Sequence, residues 1–150
     1  MFEKILVPTD GSDQADKAVE VASDLAVKYG AALTVLHVME DIGRSRIPPE
    51  LESLNKIEHA EITEHDMLRS VAKRIVDRAA SRARELGVTK IDRDVLVGNP
   101  AREIVDYAQR SKVDLIVIGR RGLGRVADLL LGSVSHRVTQ LAECPCLAVK

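Results

Sequence analysis

Short segments rich in branched apolar residues alternate along the chain with longer segments whose apolar residues recur every third or fourth position. The short segments are bounded by polar or turn-forming residues, which is typical of buried strands, and the longer ones have the period of amphipathic helices. The predicted order of elements is therefore βαβαβαβαβ. The predicted strands are Ile5–Val7, Leu33–Val38, about Ile91–Val97, Leu115–Ile118 and Cys146–Val149.

Four helices are predicted between these strands, most of them with a recognisable beginning or end. Ser12 and Asn99 are placed to cap helices, and Pro100 suits a first helical position. Gly30 and Gly87 are typical helix stops. The stretch from Met39 to about Asn55 has no firm period and is predicted to be a long connection. The predicted limits, with caps and stops, are Ser12 to Gly30, about Lys56 to Gly87, Asn99 to beyond Ala108, and about Arg125 to Ala142.

Short strands separated by amphipathic helices predict an α/β fold, an open five-stranded parallel sheet with helices on both faces. No repeat or second domain is apparent, so one domain is expected over residues 1–150. The common strand order 3-2-1-4-5 reverses between the first and fourth strands, and ligands of such sheets bind beyond the strands' carboxyl ends at that reversal. The predicted crevice therefore contains Pro8, Thr9 and Asp10 on one side and the residues from Gly119 onward on the other.

Composition excludes several classes of protein. The 150 residues are 45% hydrophobic with a formal net charge of −1, which argues against a general nucleic-acid binder. No apolar run approaches the ~18 residues of a membrane helix, and the opening segment does not have the pattern of a secretory signal. The expectation is a soluble, cytoplasmic protein with neither nucleic acid nor a membrane as its partner.

The fourth predicted strand runs into a basic, glycine-punctuated loop, GRRGLGR at residues 119–125, and the next helical stretch contains Gly132-Ser133. A strand, a glycine-rich turn and a helix commonly present main-chain N–H groups to phosphate. The spacing matches neither the P-loop nor the dinucleotide fingerprint, so an ordinary turn with surface arginines stays open. Asp10 likewise has two interpretations, as an acceptor for a nucleoside or as a turn residue bonding its own backbone.

Cysteines and histidines carry little signal. Cys144 and Cys146 flank Pro145, where a disulfide is geometrically awkward, and zinc needs about four ligands. Small hydrophobic packing residues are the favoured interpretation of the cysteines, and a redox role stays open. The histidines lack metal-ligand spacing, and His59 and His65 are expected to be solvated. The four histidines are His37, His59, His65 and His136.

Several motifs together resemble the ATP-binding branch of the universal stress protein (UspA-like) family over essentially the whole chain. They are the opening ILVPTDGS, the strand ending LHV, the segment VGNPAREIV, the ending CPCLAVK and the spacing Gly119-x2-Gly122-x9-Gly132-Ser133. The resemblance implies an adenine nucleotide alpha hydrolase-like fold that binds ATP, with or without Mg²⁺. The arginine pair Arg120-Arg121 and the additional Gly124 depart from the family's pattern.

The site residues that the resemblance implies fall into two groups. One group lies near the nucleoside, with the backbone at Val38 contacting adenine, and the other surrounds the ribose and the phosphates. The nucleoside group is Pro8, Thr9, Asp10 and Val38; the ribose and phosphate group is Gly119, Arg121, Gly122, Gly132, Ser133, Val134 and Ser135. The hydroxyls of Ser133 and Ser135 are candidate donors.

The favoured function is an adenine-nucleotide-dependent regulatory protein of the stress response rather than a dedicated catalyst. Phosphoryl transfer requires a metal and a group that orients the nucleophile, and the sequence has no Walker lysine or paired metal carboxylates. Three alternatives stay open: a slow Mg-dependent ATP hydrolase or a nucleotidyl transferase of a related α/β fold, a nucleotide-free interaction module, and a redox or metal protein. The preferred nucleotide is also left open.

The final predicted strand suggests a homodimer. Cys146–Val149 would form an exposed apolar edge, and pairing with the same strand of a second copy would cover it. The family resemblance points in the same direction.

Overall fold

The computed structural model describes residues 1–41, 64–121 and 132–150. Within these ranges the chain forms five strands and four helices in the predicted order. They are β1 Lys4–Pro8, α1 Asp13–Tyr29, β2 Ala32–Met39, α2 Glu64–Glu85, β3 Ile91–Val97, α3 Pro100–Ser111, β4 Leu115–Gly119, α4 Ser133–Leu141 and β5 Cys146–Val149.

The five strands form a parallel sheet in the order β3-β2-β1-β4-β5, which confirms the predicted fold class and topology. The central strands β1 and β4 are buried along almost their whole lengths, whereas the edge strands β3 and β5 are only partly buried. The strand order reverses between β1 and β4. The predicted binding edge therefore lies at the carboxyl ends of these two strands.

Two apolar layers cover the sheet. On one face, Val7 and Val35 pack with the alanine-rich sides of α1 and α2; on the other, Leu6 and Ile116 pack with α3 and with Val138 of α4. The side chains that face α1 and α2 are therefore separated by the sheet from those that face α3 and α4, as the period-two geometry of strands requires. Helices on both faces are confirmed.

Side-chain caps begin two of the helices where the sequence predicts them. The Ser12 hydroxyl accepts a hydrogen bond from Ala15 N at 3.2 Å, and Asn99 Oδ1 accepts one from Arg102 N at 3.1 Å. Gly30 ends α1 with a φ of 66°, a conformation that costs glycine little. These local signals fix both ends of α1 and the start of α3.

The predicted start of the fourth helix is wrong. Gly132 is extended (φ −55°, ψ 154°) and α4 begins at Ser133, so no continuous helix runs from Arg125. The cause is a hydrogen bond of 2.7 Å from Gly132 N to Arg120 O, which holds this residue against the end of β4. Residues 122–131, with Gly122 and Gly124, lie outside the described residues, as do 42–63, with His59 and most of the predicted Met39–Asn55 connection.

None of the helices in the described ranges is sufficiently long and apolar to cross a membrane.

Candidate functional site

The predicted crevice lies at the carboxyl ends of β1 and β4, where the strand order reverses. In the ladder between these strands, Ile5 pairs with Leu115 and Leu6 pairs with Ile116. Strand β1 nevertheless continues to Pro8 and β4 to Gly119. The two strands therefore extend beyond their common ladder, at the point where the strand order reverses. Ligands of open α/β sheets bind at this place.

The turn after β1 forms one wall of the crevice and is held to β2 at Thr9. Thr9 is buried, its N–H donates to Leu36 O at 2.8 Å, and its carbonyl accepts from His37 Nδ1 at 2.7 Å. A carbonyl oxygen can only accept, so this contact assigns the imidazole proton to Nδ1. Sequence reasoning missed His37; the available signal was a polar residue near the carboxyl end of a buried strand.

Asp10 is half-buried in the same turn. Its Oδ1 accepts from Ser12 N at 3.0 Å, so the interpretation of Asp10 as a turn residue is confirmed. A carboxylate has further acceptor positions, and a contact to a nucleoside stays a prediction.

Helix α2 supports this turn from outside the crevice. Arg78 donates from Nη2 to Gly11 O at 3.1 Å and to the carboxylate of Asp16 at 3.0 Å. The side chain of Ile75 lies 3.4 Å from where a Cβ on Gly11 would be, and Gly11 has a φ of +80°. The turn is therefore fixed by contacts that do not use its crevice-facing side.

The main chain of Val38 faces the crevice. The Thr9 N–H donates to Leu36 O, whereas Met39 O accepts from Gly98 N next to β3. The main-chain N–H and C=O groups of even-numbered residues in β2 therefore point to β1, and those of odd-numbered residues point to β3. Within the described residues, the β1–β2 register ends at Pro8–Leu36. The N–H and C=O of Val38 therefore point to the space beyond the end of β1.

The second wall of the crevice joins the end of β4 to the start of α4. The carbonyl of Arg120 accepts from Gly132 N and from Ser135 Oγ, both at 2.7 Å. The side-chain Oε1 of Gln14 accepts from Arg121 N, also at 2.7 Å. These three bonds bring together both flanks of the stretch 122–131 and attach them to the first turn of α1.

Among the described residues, no side chain caps the N–H groups in the first turn of α4. Its N-cap is Gly132, which makes no side-chain hydrogen bond, and no acidic residue lies in the first turn. A helix N-terminus of this kind carries partial positive charge and suits an anion. Ser133 is exposed there and Val134 half-buried, whereas the hydroxyl of Ser135 is buried and bonded to protein carbonyls.

Gly119 permits a close approach between β4 and α1. A Cβ at this position would lie 3.0 Å from the carbonyl carbon and oxygen of Gln14 and 3.1 Å from Ala15 N. This neighbour is backbone, which cannot rotate away. Within the described residues, packing against α1 is thus sufficient to require a glycine here.

The two cysteines have the properties of packing residues. Both are free and half-buried against the α3–α4 side of the core. Burial raises the pKa of both thiols, that of Cys146 to about 11, with a further contribution from Cys144. Reactive cysteines have lowered pKa values, so these thiols lack the activation that redox chemistry uses. Among the residues described, no three His, Cys, Asp or Glu side chains are grouped to hold a metal.

A parallel sheet with this reversal, a polar turn after β1 and a helix that begins just beyond β4 define an α/β protein of the open-sheet class. The family model of the universal stress protein family matches residues 1–150. The chain belongs to this family.

The relatives described here match over 96% or more of their lengths. The universal stress protein YxiE of Bacillus subtilis is 39% identical, with 100% of both chains covered. The solved structure of MJ0577 from Methanocaldococcus jannaschii is 29% identical with a TM-score of 0.79, covering 100% of this chain and 96% of that one. A universal stress protein solved in complex with cAMP is 28% identical with a TM-score of 0.72, covering 99% and 96%.

Proposed function

We propose that this chain binds an adenine nucleotide, with ATP as the first candidate, in the crevice between β1 and β4. Binding would regulate a stress response rather than serve a dedicated catalytic reaction. The observation that carries the proposal is a pair of main-chain surfaces at this crevice for which the described residues supply no hydrogen-bond partner. The edge of β2 at Val38 suits a base, and the start of α4 suits phosphate.

The base is expected to bind along Val38. A main-chain N–H and C=O on one edge can donate to and accept from a purine, as a neighbouring strand would. Asp10, which precedes the first turn of α1, is expected to accept a hydrogen bond from the ribose. The cAMP complex of a relative supports the choice of an adenine nucleotide, since cAMP contains the same base and sugar with one phosphate.

The phosphates are expected to bind at the first turn of α4. The N–H groups of Ser133 to Ser135 supply donors and the helix dipole supplies positive potential. Ser133 is the better hydroxyl donor, because the hydroxyl of Ser135 already bonds the carbonyls of Arg120 and Gly132. Gly119 and Gly132 keep this wall close to α1 and to the end of β4, and Arg121 adds positive charge.

Mass spectrometry of ligand released from the denatured protein, followed by calorimetric titration with ATP, tests the proposal. Ser133→Asp is a suitable variant, because an acid in a first turn stabilises the helix while it repels phosphate. A drop in ATP affinity of about tenfold or more is expected from the added charge. Gln140→Glu, on an exposed position at the other end of α4, is the control and should bind as the wild type does. Equal affinity in all three proteins would refute the phosphate position.

A second candidate function is slow Mg²⁺-dependent hydrolysis of the bound ATP. Its support is limited to the position of Asp10 at the crevice. Release of phosphate that requires Mg²⁺ and disappears in Asp10→Asn would establish it, whereas undiminished ATP after prolonged incubation would leave binding alone.

We also propose that the protein is a cytoplasmic homodimer paired through β5. Leu147 is 40% exposed in this strand, and a parallel sheet that ends in a partly apolar edge is stabilised by a covering partner. Analytical ultracentrifugation at micromolar concentration should give twice the chain mass of 16.4 kDa. Leu147→Lys should shift the mass to that of one chain, and a monomeric wild type would refute the dimer.

A further inference from the structure

The β1–β2 ladder stops one hydrogen bond earlier than its geometry allows. In a parallel ladder the bond from Thr9 N to Leu36 O is normally followed by a bond from the N–H two residues along β2 to the carbonyl of Thr9. That N–H belongs to Val38. In this structure the carbonyl of Thr9 instead accepts from His37 Nδ1 at 2.7 Å.

The location of His37 in β2 and the N–H group of its imidazole allow it to make this contact with Thr9. It belongs to the odd-numbered residues of β2, whose main chain faces β3, and its half-buried side chain reaches across to the end of β1. Its neighbour Val38 keeps its main chain directed to the opposite side. A protonated Nδ1 supplies the donor that the Thr9 carbonyl would otherwise take from Val38.

We infer that His37 is a positioning residue for base recognition: by occupying the Thr9 carbonyl, it leaves the Val38 N–H for the edge of the purine. The inference rests on the proposed function, and it names the device that keeps the base-binding edge open. Without the imidazole, the Thr9 carbonyl would pair with Val38 N–H, and a base would have to break that bond before it could bind.

The test compares His37→Leu with His37→Asn. These side chains are similar in size, but only asparagine retains an N–H close to the position of Nδ1. In the protein without nucleotide, amide hydrogen exchange measured by NMR should be slower at Val38 in His37→Leu, by about fivefold for one added hydrogen bond. Exchange in His37→Asn should match the wild type. General destabilisation would accelerate exchange, so the direction separates the inference from a purely structural role.

Calorimetry with adenosine and with ATP gives the second readout. His37→Leu should weaken both ligands by the same factor, about three- to tenfold, because the change affects the base and not the phosphates. His37→Asn should restore binding to within about twofold. His65→Leu, which removes an exposed histidine of α2, is the control and should leave affinity and Val38 exchange unchanged.

Each other outcome overturns the inference in a recognisable way. Unchanged or faster exchange at Val38 in His37→Leu would show that the imidazole does not prevent a hydrogen bond from Val38 N–H to Thr9 O. Slower exchange with unchanged adenosine affinity would show that the Val38 N–H does not serve the base. A wild type that binds neither ligand would refute the proposed function itself. Slower exchange in His37→Leu would then show only that His37 ends the β1–β2 ladder, with no role in base recognition.

Discussion

Replacing Gly119 with alanine should lower stability, although a glycine after a strand is easily interpreted as a ligand-binding residue. The added methyl group would lie 3.0 Å from the backbone of Gln14, well inside ordinary van der Waals contact. Overpacking against backbone costs about 1–3 kcal/mol. Replacing a glycine whose φ is not positive with alanine also stabilises the protein by about 0.4–1 kcal/mol, because alanine lowers the conformational entropy of the unfolded chain. At the centres of these two ranges, the expected net loss in the free energy of unfolding is about 1.3 kcal/mol.

Thermal and urea unfolding measure this loss. For a chain of this size, 1 kcal/mol corresponds to about 2–4 °C in Tm, so Gly119→Ala should unfold roughly 3–5 °C below the wild type. Gly132→Ala is the comparison, because a Cβ there would lie 3.3 Å from Arg120 O, and its stability should stay closer to the wild type. A Gly119→Ala protein as stable as Gly132→Ala would refute the packing argument.

Three further predictions concern other contacts. Alkylation of Cys146 should be slow at neutral pH and should accelerate towards its pKa of about 11. Because the folded pKa is raised above the unfolded value of about 9, any stability that the thiol contributes is present below pH 9 and is lost as the pH rises through 11. A rate midpoint near pH 9 would contradict the raised pKa. Arg78→Met should lower the free energy of unfolding by at most about 1 kcal/mol, because the exposed ion pair with Asp16 is lost. The difference from the wild type should be smaller in 1 M NaCl, and a loss that does not depend on salt would contradict this origin. Gln14→Met should lower the affinity for ATP about three- to tenfold and leave the affinity for adenosine unchanged, because Gln14 Oε1 holds Arg121 N on the phosphate side. Equal losses of affinity for both ligands in calorimetry would contradict that position.

The fold could be predicted from sequence because each of its signals is local. Short apolar runs and helical periodicity placed the elements, Ser12 and Asn99 marked helix starts through their own side-chain caps, and the absence of alternation predicted a sheet covered on both faces. The strand order followed from the commonness of one topology and not from any particular residue. The position of the crevice then followed from that order.

The contacts within the crevice depend on non-local geometry and could not be predicted. The extended conformation of Gly132 results from a bond to Arg120, which is twelve residues earlier in the chain, so the helical pattern around it was misleading. The contact of His37 with Thr9 spans 28 positions in sequence. Gly119 was assigned to the ligand from the loop pattern, but its requirement for small size is evident only once α1 is packed against β4.

Chemical-shift mapping during an ATP titration both detects the bound nucleotide and locates it on the sheet. Binding in the crevice should shift the amide signals of Asp10 and Val38, from the base side, and of Ser133 and Val134, from the phosphate side, and these shifts should saturate. Shifts confined to the separate groove of about 360 Å³ between α3 and α4, around residues such as Lys112, would place the ligand elsewhere. No shifts at millimolar ATP would contradict nucleotide binding altogether.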